Sequence, residues 1–189
     1  MRCRFDEAKA TQVAALILNR RGGRMHYIKL IKLLYLIDRA ALVKWGRPIT
    51  TDHHVSMDHG PVGSIVYRLI TEEKRDKPIW SQYITPPLGE FEVALKALGS
   101  DPPKDRLSRA EENLIDEVYT EYGYRNRWDL IDNVMHKLPE WEDPHGSSIP
   151  IRLQTILESA GEKPEDIRAM MQELRMMANA EEVLSGTSK

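Results

Sequence analysis

Between Lys29 and Trp45 the chain reads KLIKLLYLIDRAALVKW, and its apolar positions wrap most of a helical wheel. Leu30, Ile31, Leu33, Leu34, Tyr35, Ile37, Ala41, Leu42 and Trp45 leave only one narrow sector to Lys29, Lys32 and Arg39. A helix apolar on so many sides must be sheathed by other elements, and it is too short and too charged for that sheath to be lipid. Asp38 falls in the middle of the apolar arc. A lone carboxylate there has to be hydrogen-bonded or charge-paired, because burying it unpaired is costly. Its expected role is structural: accepting N–H groups from the Gly60–Gly63 turn and so fixing the helix against that corner.

The flanking pattern predicts further elements. Asp6 is placed to cap a first helix that carries Ala10, Val13, Ala14, Leu16, Ile17 and Leu18 toward Arg20 and ends at Gly22-Gly23. Gly46 and Pro48 stop the central helix. Residues 54–58 alternate as a short strand, and Gly60-Pro61-Val62 reopens a helix toward Lys74, with Pro61 in its first position. Residues 79–84 and 90–96 read as strands that join 54–58 in one small antiparallel sheet, the 94–98 end reading equally well as helix, and Pro102-Pro103 marks a loop. Ser108 with Glu111 is a capping-box signature for a helix ending at Gly123. A following helix carries Trp128, Ile131, Val134 and Met135 to His136, and Ser148 with Pro150 opens another. The last helix starts near Pro164, and the tail from Leu184 frays. These elements imply a mainly α (α+β) fold: a compact helical domain around a buried central helix with a small antiparallel sheet. One domain over 1–189 is expected, with a core of about 5–160 and a C-terminal helix of about 164–184.

Composition narrows the function classes. The net charge of -2, from 27 basic and 29 acidic residues, gives no global field for nucleic acid or an anionic membrane. The lone cysteine, Cys3, excludes an internal disulfide framework and a Cys-based zinc cluster. The N-terminal residues lack the apolar run of a signal peptide and no long apolar segment follows, so a cytoplasmic location without membrane contact is expected. Arg20, Arg21 and Arg24 surround a helix-turn-helix spacing, but a second helix buried on nearly every side cannot also lie in a DNA groove.

His53, His54 and His59 sit within seven residues, beside Asp52 and Asp58. A strand would place His54, Ser56 and Asp58 on one face and His53 on the other, and no H-E-x-x-H pair occurs. The Gly60–Ser64 segment could present N–H groups to an anion, but Pro61 removes one donor and no Lys-Ser/Thr follows. With no nucleophile motif either, no catalytic residue, metal or cofactor is assigned. The large side chains suit a protein partner, and Trp45, His53, His59, Tyr67 and Met176 are the candidates for contacting it.

The order KLxKLLYLxD, a KWGRPIT-like turn, then a short strand ending in GPV before a helix resembles the Panacea antitoxin domain, the family of the SocA-like antitoxins and of proteins called phage-associated. Lys32, Leu34, Tyr35, Asp38, Gly46, Arg47, Pro48, Gly60, Pro61 and Val62 carry the likeness. Later, a helix ending in His136, with Pro139 and Trp141 just after, is similar to the family's closing helix and loop. Leu36 and Ile37 depart from the aromatic or Ala positions common there. The resemblance implies an antitoxin that binds and neutralises a cognate toxin, either by covering its active surface or by handing it to a Clp-type protease, as an adaptor of the SocA-like branch does. It leaves open the toxin's identity and the oligomeric state. The rival readings are a metal- or phosphate-dependent enzyme using His53–Ser64 and a DNA-binding regulator.

Overall fold

The computed structural model describes residues 4–72, 78–87, 89, 91–96, 103–184 and 186. Cys3, Lys74, Glu90, Pro102 and residues 185 and 187–189 of the tail lie outside them. Asp6 caps the first helix, α1 (Glu7–Arg20), by accepting from Lys9 N at 2.9 Å. A three-residue strand, β1 (Arg24–His26), leads into the central helix α2 (Tyr27–Trp45). Gly46 ends α2 in the left-handed region, where a Cβ would lie 2.9 Å from Met170 Cγ.

After α2 come β2 (His54–Ser56), β3 (Val62–Gly63), α3 (Ser64–Thr71), α4 (Trp80–Tyr83) and β4 (Glu92–Ala94). The second half holds α5 (Arg109–Tyr122), α6 (Arg127–Asn133) with a 3-10 turn at Met135–Lys137, β5 (Ile149–Pro150), α7 (Leu153–Ser159) and α8 (Pro164–Leu184). The fold is thus mainly helical with a minor β component. α2 packs against α1, α3, α5, α6, α7, β1 and β3, which is the sheath its wheel demanded. The main core gathers α1, α2, α3 and α5. A smaller apolar cluster, Leu42 with Ile151, Ile156, Leu157, Ile167 and Leu174, fastens α7 and α8 to the far end of α2.

Several local expectations give way to longer-range contacts. Among the described residues the single sheet is two: β1 pairs antiparallel with β4, and β2 pairs antiparallel with both β3 and β5. Residues 80–83 are helical rather than extended, and only Ile84 bridges to Leu95. The reason lies in α1: the Glu7 carboxylate accepts from Ile79 N at 3.0 Å and Trp80 N at 2.8 Å, supplying acceptors for free N–H groups at the start of α4. Pro61 does not open a helix. It precedes β3, which is paired to β2, and α3 begins only at Ser64. Ser148 caps nothing either: Ile149 and Pro150 are the edge strand β5, where a proline is tolerated, and Arg152 is the N-cap of α7. The Ser108–Glu111 capping box and the Gly123 stop are as expected.

Candidate functional site

Two buried carboxylates hold the segment between α2 and α3. Asp38 accepts from Ile49 N and Thr50 N at 2.9 Å each and from Thr50 Oγ1. It is satisfied inside the fold, but by the Ile49–Thr50 segment and not by the Gly60–Gly63 turn. The carboxylate that reaches that corner is Asp52, which accepts from Ile65 N and Val66 N at 2.9 Å and so caps α3 from across β2. Burial pushes the Asp52 carboxyl up from its ordinary range, against the lowering by those two N–H groups. Gly63 is obligatory here because a Cβ would run into the Asp52 carboxylate. Gly60 has φ +89°, and a Cβ on it would lie 2.6 Å from Met135 Cβ.

The two lysines assigned to the polar sector of α2 are in fact buried, at 5% and 1% exposure for Lys29 and Lys32. Each serves the carbonyls of another element. Lys29 Nζ donates to Gly123 O at 2.6 Å, closing the C-terminus of α5, where a cation suits the dipole. Lys32 Nζ donates to Gly60 O at 2.7 Å and Pro61 O at 3.1 Å, tying α2 to the corner. Burial lowers the Lys32 amine to about 7, and burial, then nearby Arg21, lowers Lys29 to about 8.

A lysine whose folded pKa is depressed binds fewer protons than it does in the unfolded chain, so stability rises with pH between the two values. For Lys32 that window runs from about 7 to the ordinary 10.5. Urea titrations at pH 7 and pH 9 should therefore show stability rising, with on the order of 2 kcal/mol from this group and a further part from Lys29. Lys32→Met should flatten the rise. Above that range the raised pKa values of Tyr27, Tyr35, Tyr119 and Tyr122 act in the opposite direction. A flat or falling profile from pH 7 to 9 would contradict the assignment.

A third carboxylate, Glu140, was not singled out in the sequence because it lies in a loop between Pro139 and Trp141. It is buried and accepts from Tyr35 OH at 2.9 Å, Arg39 Nε at 2.6 Å and Ser159 Oγ at 2.8 Å, so it joins α2 to α7. Beside it, His136 stacks on Trp141 with ring centroids 4.2 Å apart. His136 Nε2 lies 3.0 Å from Asp58 O, and Trp141 Nε1 donates to Met57 O at 3.0 Å. These two rings grip the loop after β2, which gives a physical role to the later half of the resemblance. Of the remaining motif positions, Leu34, Tyr35, Pro48, Pro61 and Val62 are buried, while Arg47 is exposed.

The frame leaves a small cavity of about 130 Å³ between the N-terminal end of α2, the loop after β2 and α3. Tyr27, Ile31, Lys32, Met57, His59 and Tyr67 line it. Of the candidate partner residues, the structure thus brings His59 and Tyr67 together. His53 is half-buried in the turn before β2, where its carbonyl accepts from Ser64 N at 2.7 Å. Trp45 is half-buried at the other end of α2, about 27 Å from Tyr27 by helical rise. Met176 is 58% exposed on α8, as expected from its position off the apolar stripe. The pattern did not single out the exposure of Phe91 or of Trp128, because exposed aromatics read as core positions.

The histidines do not converge. His54 is buried against the edge of Tyr35, with Nε2 3.6 Å from Asp38 Oδ2, whereas His59 is exposed and meets the edge of Trp128. Among the described residues no group of three or more His, Cys, Asp or Glu side chains is placed to hold a metal ion. Nor is any described helix long and apolar enough to cross a membrane.

No curated protein matches the chain, and no solved structure does. The family model of the SocA-like antitoxin, Panacea domain, matches residues 30–142, more than half of the chain. That span contains α2 from Leu30 onward, the Asp38 and Asp52 anchors, the Lys32-bound corner and the Glu140 loop. The chain belongs to the SocA-like antitoxin family defined by the Panacea domain.

Proposed function

We propose that this protein is the antitoxin of a toxin–antitoxin pair and neutralises its cognate toxin by direct protein–protein binding. The observation that carries the reading is the family match over residues 30–142. It is supported by the contrast between a tightly bonded interior and large exposed side chains, among them Phe91 at 62%, Trp128 at 49% and Met176 at 58% exposure. Aromatic and Met side chains on a rigid frame are suited to anchoring a protein partner. An interface of ordinary size would cover about 800 Å² on this side.

The test is co-expression with the small protein encoded beside it. That protein alone should arrest growth, and this chain should restore it while the two associate in pull-down and calorimetry. Rescue without association, or rescue that depends on His53 and His59 binding a metal, would overturn the reading in favour of an enzyme. Binding retained with rescue lost in cells lacking a Clp-type protease would assign neutralisation to delivery for degradation rather than occlusion.

A further inference from the structure

The cavity at the N-terminal end of α2 has a definite size and an unusual floor. Its volume of about 130 Å³ is well below the roughly 300–1,000 Å³ of a small-molecule or cofactor site, and it suits a single side chain. Lys32 lies in its wall, and two of the three ammonium protons are spent on the carbonyls of Gly60 and Pro61. Among the described residues no carboxylate pairs with that amine. Asp58, at the same cavity, is exposed and its Oδ1 accepts from Gly146 N at 2.8 Å. A carboxylate entering from outside would supply the missing counter-charge beside an amine whose residue is 1% exposed, where the attraction is stronger than in open water.

The surroundings are those of a protein contact. Tyr27 and Tyr67 stand at the cavity, half-buried. Outward, Tyr27 meets Phe91 at 6.2 Å and stacks on His26 at 5.5 Å, while His59 meets Trp128 at 5.8 Å. Phe91 holds φ +66°, a conformation a bulky residue rarely adopts, with its carbonyl accepting from Tyr27 N at 2.9 Å, and the residue is 62% exposed.

We infer that the cavity receives an acidic side chain, Asp or Glu, from the toxin, with its carboxylate on Lys32 Nζ and the rings of Tyr27 and Tyr67 beside it. The identity of the partner rests on the antitoxin reading; the chemistry of the cavity does not. Tyr67 and His59 are then contact residues, while Trp45 and Met176 lie outside the anchor.

Two measurements separate the claims. In the first, lysine-labelled protein is titrated by NMR with N-acetyl-aspartate methylamide and with its asparagine counterpart. The aspartyl probe should raise the pKa of the Lys32 amine and the asparaginyl probe should leave it in place; no movement with either, or equal movement with both, overturns the inference even if no toxin is found. In the second, toxin affinity is measured by calorimetry at pH 6 and pH 8.5. From a free amine near 7, the affinity should fall by roughly thirtyfold over that interval. Lys32→Met should remove that dependence, and Tyr67→Ala, which keeps the lysine, should weaken binding at least tenfold at pH 6. Full affinity in Tyr67→Ala, or an unchanged pH profile in Lys32→Met, sinks the anchor while leaving the antitoxin reading intact. Absence of any toxin binding to the unaltered chain fails that reading instead, and the aspartyl titration still decides the chemistry of the cavity.

Discussion

Asp38→Ala should destabilise the protein by about 3–5 kcal/mol, roughly a fifth or more of the stability of an ordinary domain. The substitution removes the acceptor for Ile49 N, Thr50 N and Thr50 Oγ1 at once, in a place that water does not reach. Each donor left without a partner costs about 1–3 kcal/mol, so no relaxation short of opening the segment recovers the loss. Asp38→Asn keeps one oxygen in position and should cost less than half as much, which separates hydrogen bonding from charge. Urea titration is the measurement, and a shift of the alanine variant below about 0.5 kcal/mol would contradict the account.

Glu140→Ala carries the second large effect, about 2–4 kcal/mol. Its carboxylate has no side-chain exposure, and the partners it would leave are unequal. Tyr35 OH is buried and would lose its acceptor, whereas the Arg39 side chain, 21% exposed, can turn toward water. Burial pushes the Glu140 carboxyl up, but the hydrogen bonds from Arg39 and Ser159 and the Arg39 charge outweigh it, and the net shift is downward. A carboxylate with a depressed folded pKa contributes stability that is complete above its unfolded value of 4.5 and is lost as pH falls through the folded one. Glu140→Gln should therefore remove part of the acid sensitivity below that pH. An unchanged acid limb, together with native stability of the alanine variant, would show that Arg39 and Tyr35 are satisfied without it.

The comparison of Asp38 with Asp52 shows where local reasoning stops. A helical wheel states that Asp38 points inward and so needs donors, but it does not say which donors fold back to meet it. Two carboxylates, fourteen residues apart, could each have served the corner. The closing geometry of the Ile49–Asp52 segment gave Asp38 to Ile49 and Thr50, and Asp52 to α3. The same limit explains Lys29 and Lys32. A charged sector on a wheel reads as a solvated face, and only the arrival of the α5 C-terminus and the Gly60–Pro61 carbonyls made burial tolerable.

What the sequence determined by itself was the helical class, the enclosure of α2, the capping of α1 and α5, and the family, because these depend on periodicity and on residues close together in the chain. The tertiary structure alone decided the two sheets, the helical state of residues 80–83, the Glu140 junction and the cavity beside Lys32. In each of these the deciding partner lies far along the chain: Glu7 for α4, Ile149 for Ser56, Tyr35 for Glu140, and Gly60 for Lys32. A buried polar group takes whatever acceptor or donor the packed chain brings to it, and that choice is made by the fold as a whole rather than by its neighbours in sequence.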